Sequence, residues 1–197
     1  MKTKRHTALL GVILFLVLIS SVPAIGQNSF GLELTYVTGF QDREIKILDE
    51  HIDLSMPHGA QLTVVYSKRI KDSPWLAHTG IGGKYMSIRG QTSNQLNFLA
   101  NSFKVNALLG TRYQMYPDLS LGAQFIIESN RDFGEITYLK SDIWRYYVCL
   151  EAVYTMNKKW NAVIKYWRSI SSNDDVYLLF TPINQISIGA NYYFHEI

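Results

Sequence analysis

The chain has 197 residues, with 19 Lys and Arg against 16 Asp and Glu, 47% hydrophobic residues, 13% aromatic residues and one cysteine. A single cysteine excludes an internal disulfide and any metal site built from several thiolates. The formal charge of +3 is carried by the first residues: without Lys2, Lys4 and Arg5 the basic and acidic residues balance, so the remainder has no net charge with which to bind nucleic acid.

Met1 to Arg5 form a basic head, Ala8 to Ile19 an unbroken apolar run, and Ser20 to Gly26 a small-residue exit with Ala24 and Gly26 at the cleavage positions. This order predicts a secretory signal peptide over residues 1–26 and a mature domain over 27–197. An uncleaved anchor is the rival, against which stand Pro23 and the lack of a charged stop after the run. Beyond Gly26 no window reaches the roughly 18 apolar residues of a membrane helix. With no linker or composition shift, the mature part reads as one domain.

From there the dominant period is two, the mark of strands whose faces meet different surroundings. Eight alternating segments follow in order: Phe30 to Tyr36, Leu62 to Tyr66, Ala77 to Tyr85, Phe103 to Tyr113, Leu119 to Ile127, Tyr146 to Tyr154, Trp160 to Tyr166 and Ile186 to Phe194. Long connections (Phe40 to His58, Arg89 to Asn101, Asn130 to Asp142, Ser171 to Asn184) alternate with tight ones at Lys71 to Pro74, Tyr116 to Asp118 and Asn157 to Lys159. Aromatic residues gather at strand ends: Phe40, Tyr85, Phe103, Tyr146 and Tyr166 toward the long loops, Trp75, Tyr113, Tyr116, Tyr154, Trp160 and Phe194 toward the short turns. Two interfacial girdles account for this, and with the loop alternation they predict an eight-stranded antiparallel up-and-down transmembrane β-barrel, exported to the outer membrane. Its partners would be outer-membrane lipid and lipopolysaccharide, with a protein partner at the long loops.

Glu33, Lys84, Lys104, Arg112, Glu128, Glu151 and Lys165 share the polar face with Gln61, Asn106, Gln124, Gln185 and Asn191. In an eight-stranded barrel the interior is only wide enough for side chains, so these residues are expected to form a paired, hydrated lumen network rather than a pore. The rival is a soluble periplasmic barrel that carries an apolar ligand and turns the charged face to water. Cys149, beside Glu151 on the lumen face, is expected to be a packed residue.

Chemistry would need a nucleophile, a base and an orienting group near one rim. The last long loop reads Trp167-Arg168-Ser169-Ile170-Ser171-Ser172-Asn173, followed after Thr181-Pro182-Ile183-Asn184 by a strand ending in Phe194. This resembles the lipid A deacylase family of outer-membrane barrels, whose seventh strand ends in His-x-Ser-Asn, and also the broader Bacteroidota barrel families of no known reaction. The resemblance implies a lipid A ester hydrolase with Ser171 or Ser172 as nucleophile beside Asn173. Ile170, however, stands where the family's His takes the serine proton. His51 and His58 fall in the first long loop, His78 near a short turn and His195 past the last strand, positions that suit solvated residues. Asp42, Glu44, Asp49, Glu50 and Asp53 lack calcium-loop spacing and read as a solvated loop, so neither a metal nor a cofactor is expected. A non-enzymatic structural or binding role through the loops is therefore the leading expectation.

Overall fold

The computed structural model describes residues 28–40, 43–47, 50–92, 97–132, 144–170 and 184–196. The predicted signal peptide, Ser171, Ser172 and Asn173 lie outside the described residues. Ten strands are described: β1 (Asn28–Phe40), β2 (Arg43–Ile47), β3 (Glu50–Leu54), β4 (His58–Arg69), β5 (Trp75–Thr92), β6 (Asn97–Tyr116), β7 (Leu119–Asp132), β8 (Trp144–Thr155), β9 (Trp160–Ser169) and β10 (Asn184–Glu196). All pair antiparallel. Eight of them close into an up-and-down barrel, because β1 pairs with both β4 and β10, and β5 with both β4 and β6. Closure leaves no free edge around the barrel wall, which is what a strand needs where no water can meet its amides.

The tight connections are built by local polar groups. Asn157 Oδ1 accepts from the backbone amides of Lys159 at 2.9 Å and Trp160 at 3.0 Å, and Ser73 Oγ donates to the carbonyl of Ile70 at 2.5 Å. Both are the side-chain turns that Asn and Ser supply. These turns, the Pro117–Asp118 turn, the start of β1 and the end of β10 share one end of the barrel, as the pairings Asn28 with Lys68 and Ser29 with Glu196 require.

At the opposite end the structure departs from the sequence expectation. The segments read as loops at Phe40 to His58 and Arg89 to Asn101 are largely strand. β5 and β6 keep pairing beyond the barrel, with Arg89 opposite Leu99 and Gln91 opposite Asn97. The edge of β5 that β4 vacates at His58 is taken up by β3, with Leu54 opposite Gly90 and Ile52 opposite Thr92, while β2 pairs on the far side of β3. A small sheet thus stands above the rim. Its strands are five-residue, charge-rich pieces whose pairing is dictated by the β5 edge rather than by a strong alternation of their own.

Around the barrel, alternation sorts residues in the reverse of a soluble protein. Leu34, Leu62, Leu109, Leu150, Ile164 and Ile188 are 48–60% exposed on the outside, whereas Glu33, Lys84, Lys104, Glu128 and Lys165 are 0–1% exposed on the inside. All eleven aromatic residues assigned to the girdles face outward and are at least 40% exposed. Trp75 and Tyr113 meet edge-on at 5.0 Å and Trp160 and Tyr192 at 4.9 Å toward the turns, while Phe125 stacks on Tyr146 at 6.0 Å toward the other end. On β6 the girdle positions Phe103 and Tyr113 are ten residues apart. At about 3.3 Å per residue and a tilt of about 40°, that spacing measures roughly 25 Å along the barrel axis, the height of the apolar band of a membrane barrel. A continuous outward belt of large apolar side chains is incompatible with a monomeric soluble barrel.

Candidate functional site

Among the described residues, charged groups converge in the lumen. Nearer the short turns, Arg112 on β6 grips Glu151 on β8, with Nε donating to Oε1 at 2.6 Å and Nη2 to Oε2 at 3.0 Å. Between those strands lies Gly122 of β7, directly opposite both residues in the register. A Cβ at Gly122 would come within 2.7 Å of Glu151 Oε1, 2.8 Å of the Thr111 carbonyl and 2.9 Å of Arg112 Cγ. The glycine is therefore the gap through which the pair forms. Gly122→Val is expected to cost about 1–3 kcal/mol in urea unfolding of the micelle-embedded barrel, as overpacking does; an unchanged midpoint would show that the pair can form without the gap.

The same cluster extends around the wall. Lys165 on β9 donates to Glu33 on β1 at 2.5 Å, reaching past β10, and lies 3.8 Å from Glu151 Oε2. Arg112 Nη1 donates to the Tyr193 hydroxyl on β10 at 3.0 Å, its Nη2 lies 3.1 Å from His78 Nε2 on β5, and His78 Nδ1 lies 2.7 Å from Ser67 Oγ on β4. Seven strands contribute a side chain, and β7 contributes the glycine.

Nearer the rim, a second cluster resolves a conflict in the register. Lys84 and Lys104 are direct cross-strand partners, a repulsive arrangement for like charges. Glu128 from β7 pairs with both, contacting Lys84 and lying 3.2 Å from Lys104. Lys84 Nζ also donates to Gln185 at 3.0 Å and lies 4.8 Å from the Trp167 ring centroid and 5.5 Å from that of Tyr147. Along the strands, the clusters are separated by a buried apolar group of Leu108, Ile126, Tyr147, Cys149 and Trp167.

All seven charged residues singled out in the sequence thus lie inside the barrel, in two groups: Glu33, Arg112, Glu151 and Lys165 in one, Lys84, Lys104 and Glu128 in the other. His78, expected from the sequence to be solvated, is instead 1% exposed on the same face, because its strand position points it into the lumen; Tyr147, Trp167 and Arg145, to which the sequence assigned no lumen role, are at most 1% exposed beside it. Strand parity could have found them, since His78 stands two residues before Gly80, and Arg145 and Tyr147 stand in step with Cys149 and Glu151.

The chemistry open to this lumen is limited by its own pairing. Glu33, His78 and Glu151 present ligand atoms within 4.8 Å of one another. Lys165 and Arg112 already supply two positive charges to the two carboxylates, so a metal ion would have to displace both. Ser67 and His78 are the Ser–His hydrogen-bonded pair among the described residues, yet they are arranged against nucleophile activation. A guanidinium only donates, so His78 Nε2 accepts from Arg112 and the ring proton sits on Nδ1, facing Ser67. That nitrogen cannot take the serine proton.

No protein-family model matches the chain, and no curated protein matches it. Among solved structures it is similar to the outer membrane protein OprG from Pseudomonas aeruginosa, at TM-score 0.49 and 11% identity over 86% of this chain and 96% of that one. It is also similar to the outer membrane protein Ail from Yersinia pestis, at TM-score 0.44 and 13% identity over 86% and 99% of the two chains. A de novo designed transmembrane β-barrel matches at TM-score 0.40 and 12% identity over 87% and 98%. At this distance none of them lends a role to any residue here. What makes this chain a membrane barrel is its own surface, apolar outside and charged within.

Proposed function

We propose that the protein is an outer-membrane barrel with a closed lumen, serving a structural or binding role through the end that carries the β2–β3 hairpin and the longer connections. The observation that carries this reading is the filled interior. Two salt-bridged clusters and the apolar group between them occupy the lumen with side chains that are 0–8% exposed, leaving the barrel to act by its surface rather than by transport. Outer-membrane lipid and lipopolysaccharide are the proposed partners of the apolar belt. A protein is the proposed partner of the sheet above the rim, where main-chain groups at a strand edge invite pairing.

The test is electrical and chemical. Purified folded protein in planar bilayers is expected to give no stable conductance steps; regular channel openings would overturn the closed-lumen reading. The same preparation incubated with lipid A is expected to leave its acyl chains in place. Acyl release that disappears in Ser172→Ala would replace this reading with an ester hydrolase related to the lipid A deacylases.

A further inference from the structure

The lumen is not sealed where the short turns lie. A cavity of about 160 Å³ opens there, and its described lining holds Arg69, Arg112 and Lys158 but no carboxylate. We propose that this mouth is a binding site for a phosphate group. Arg112 gives background positive charge, but four of its five N–H donors are spent on Glu151, Tyr193 and His78. The anchors are Arg69, Lys158 and Ser67.

The fold fixes the side chains of Arg69 and Ser67 and the backbone position of Lys158. Gln114 Nε2 donates to the Pro117 carbonyl at 3.1 Å, which turns its Oε1 to receive Arg69 Nη2 at 2.8 Å. Arg69 is thereby steadied with most of its N–H groups uncommitted among the described residues. Lys158 sits in the turn that Asn157 braces through the amides on its far side. Ser67 follows from the His78 tautomer: its oxygen accepts from His78 Nδ1, so its own proton is left to donate, and it lines the cavity. Donors from β4 and from the β8–β9 turn thus face one volume, and the nearest buried carboxylate, Glu151, is already neutralised by Arg112 and Lys165. The space holds a tetrahedral oxyanion with a few waters, at about 30 Å³ per water. Multiple charge-assisted donors in different directions suit phosphate better than a planar carboxylate.

The phosphate could be free or belong to a lipid headgroup, and two arms of one experiment separate these. The isotope-labelled full barrel in maltoside micelles is titrated with inorganic phosphate at low ionic strength, and in parallel with short-chain phosphatidic acid. Saturating amide shifts at Ser67, Arg69 and Lys158 are expected, with affinity weakened roughly tenfold or more in Arg69→Gln/Lys158→Gln, about 1.4 kcal/mol per decade. Saturation of these residues by phosphatidic acid at lower concentration than by phosphate assigns the headgroup; saturation by phosphate alone assigns the free anion. Non-saturating shifts, or equal affinity in the double variant, would overturn the site. Both substitutions lie at the mouth, outside the charged clusters, and heat-modifiable gel migration checks that the variant is folded. Lys158→Gln alone, in an exposed turn, provides a second folded variant that is expected to weaken binding in the same direction.

Discussion

Glu151→Ala is expected to destabilise the folded barrel by about 3–5 kcal/mol, the range for removing one partner of a buried ion pair. Glu151 is the point where two cations meet. Arg112 loses both arms of its bidentate contact and Lys165 loses one of its two carboxylates. Arg112 and Lys165 are 3% and 1% exposed, so the stranded charges have little water to turn to. Against a typical stability of about 5–15 kcal/mol, this is enough to lower the urea midpoint of the heat-modifiable band plainly. The companion variant Arg112→Met/Glu151→Leu removes both charges together and is expected to recover most of the loss, since well-packed apolar pairs often equal or exceed buried ion pairs. The two results separate the cost of an orphaned charge from the worth of the pair. A single variant within about 1 kcal/mol of wild type would mean that the lumen is wet enough to solvate Arg112, and the closed interior would have to be abandoned.

The contrast between that pair and its surroundings also shows what a sequence can and cannot disclose. Parity along each strand is a local property, so Glu33, Lys84, Lys104, Arg112, Glu128, Glu151 and Lys165 could be assigned to one face without knowing which strands are neighbours. Their partners could not. Lys165 meets Glu33 across 132 residues and Lys84 meets Gln185 across 101, distances fixed only when the barrel closes. Gly122 stands in step with Gln124 and Glu128 on β7, but its role as a gap between Arg112 and Glu151 depends on the register of three strands. Trp167 and Tyr147 were hidden for another reason. Each sits beside an outward aromatic, Tyr166 or Tyr146, so an aromatic doublet read as a girdle conceals an inward member. The β2–β3 hairpin was illegible because its strands are short and mixed, and what pairs them is the edge of β5 extending above the rim.

Leu109→Arg is the second large effect, expected to cost about 2–4 kcal/mol when folding is measured into a bilayer or micelle, the range for a cation at the midplane of a membrane barrel. Leu109 is 49% exposed on the outer face of β6, between the girdle residues Phe103 and Tyr113. On a soluble protein the same exchange at a half-exposed leucine would stay within about 0.5 kcal/mol, since the guanidinium would simply meet water. The control lies on the same strand. Leu99 also faces outward and is 60% exposed, but it stands four residues beyond Phe103 in the part of β6 that rises above the rim. There Leu99→Arg is expected to cost about 0–1 kcal/mol, as such changes do near an interface. Two leucines on one strand, alike in exposure and differing in height, thus form a depth gauge. Exposure alone predicts no difference between them, or a larger effect at the less exposed site of no more than a few tenths; a hydrocarbon belt predicts a gap of about 2 kcal/mol or more. Equal costs at the two positions would remove the membrane from the account of this fold, and with it the reason for charges to lie inside and leucines outside.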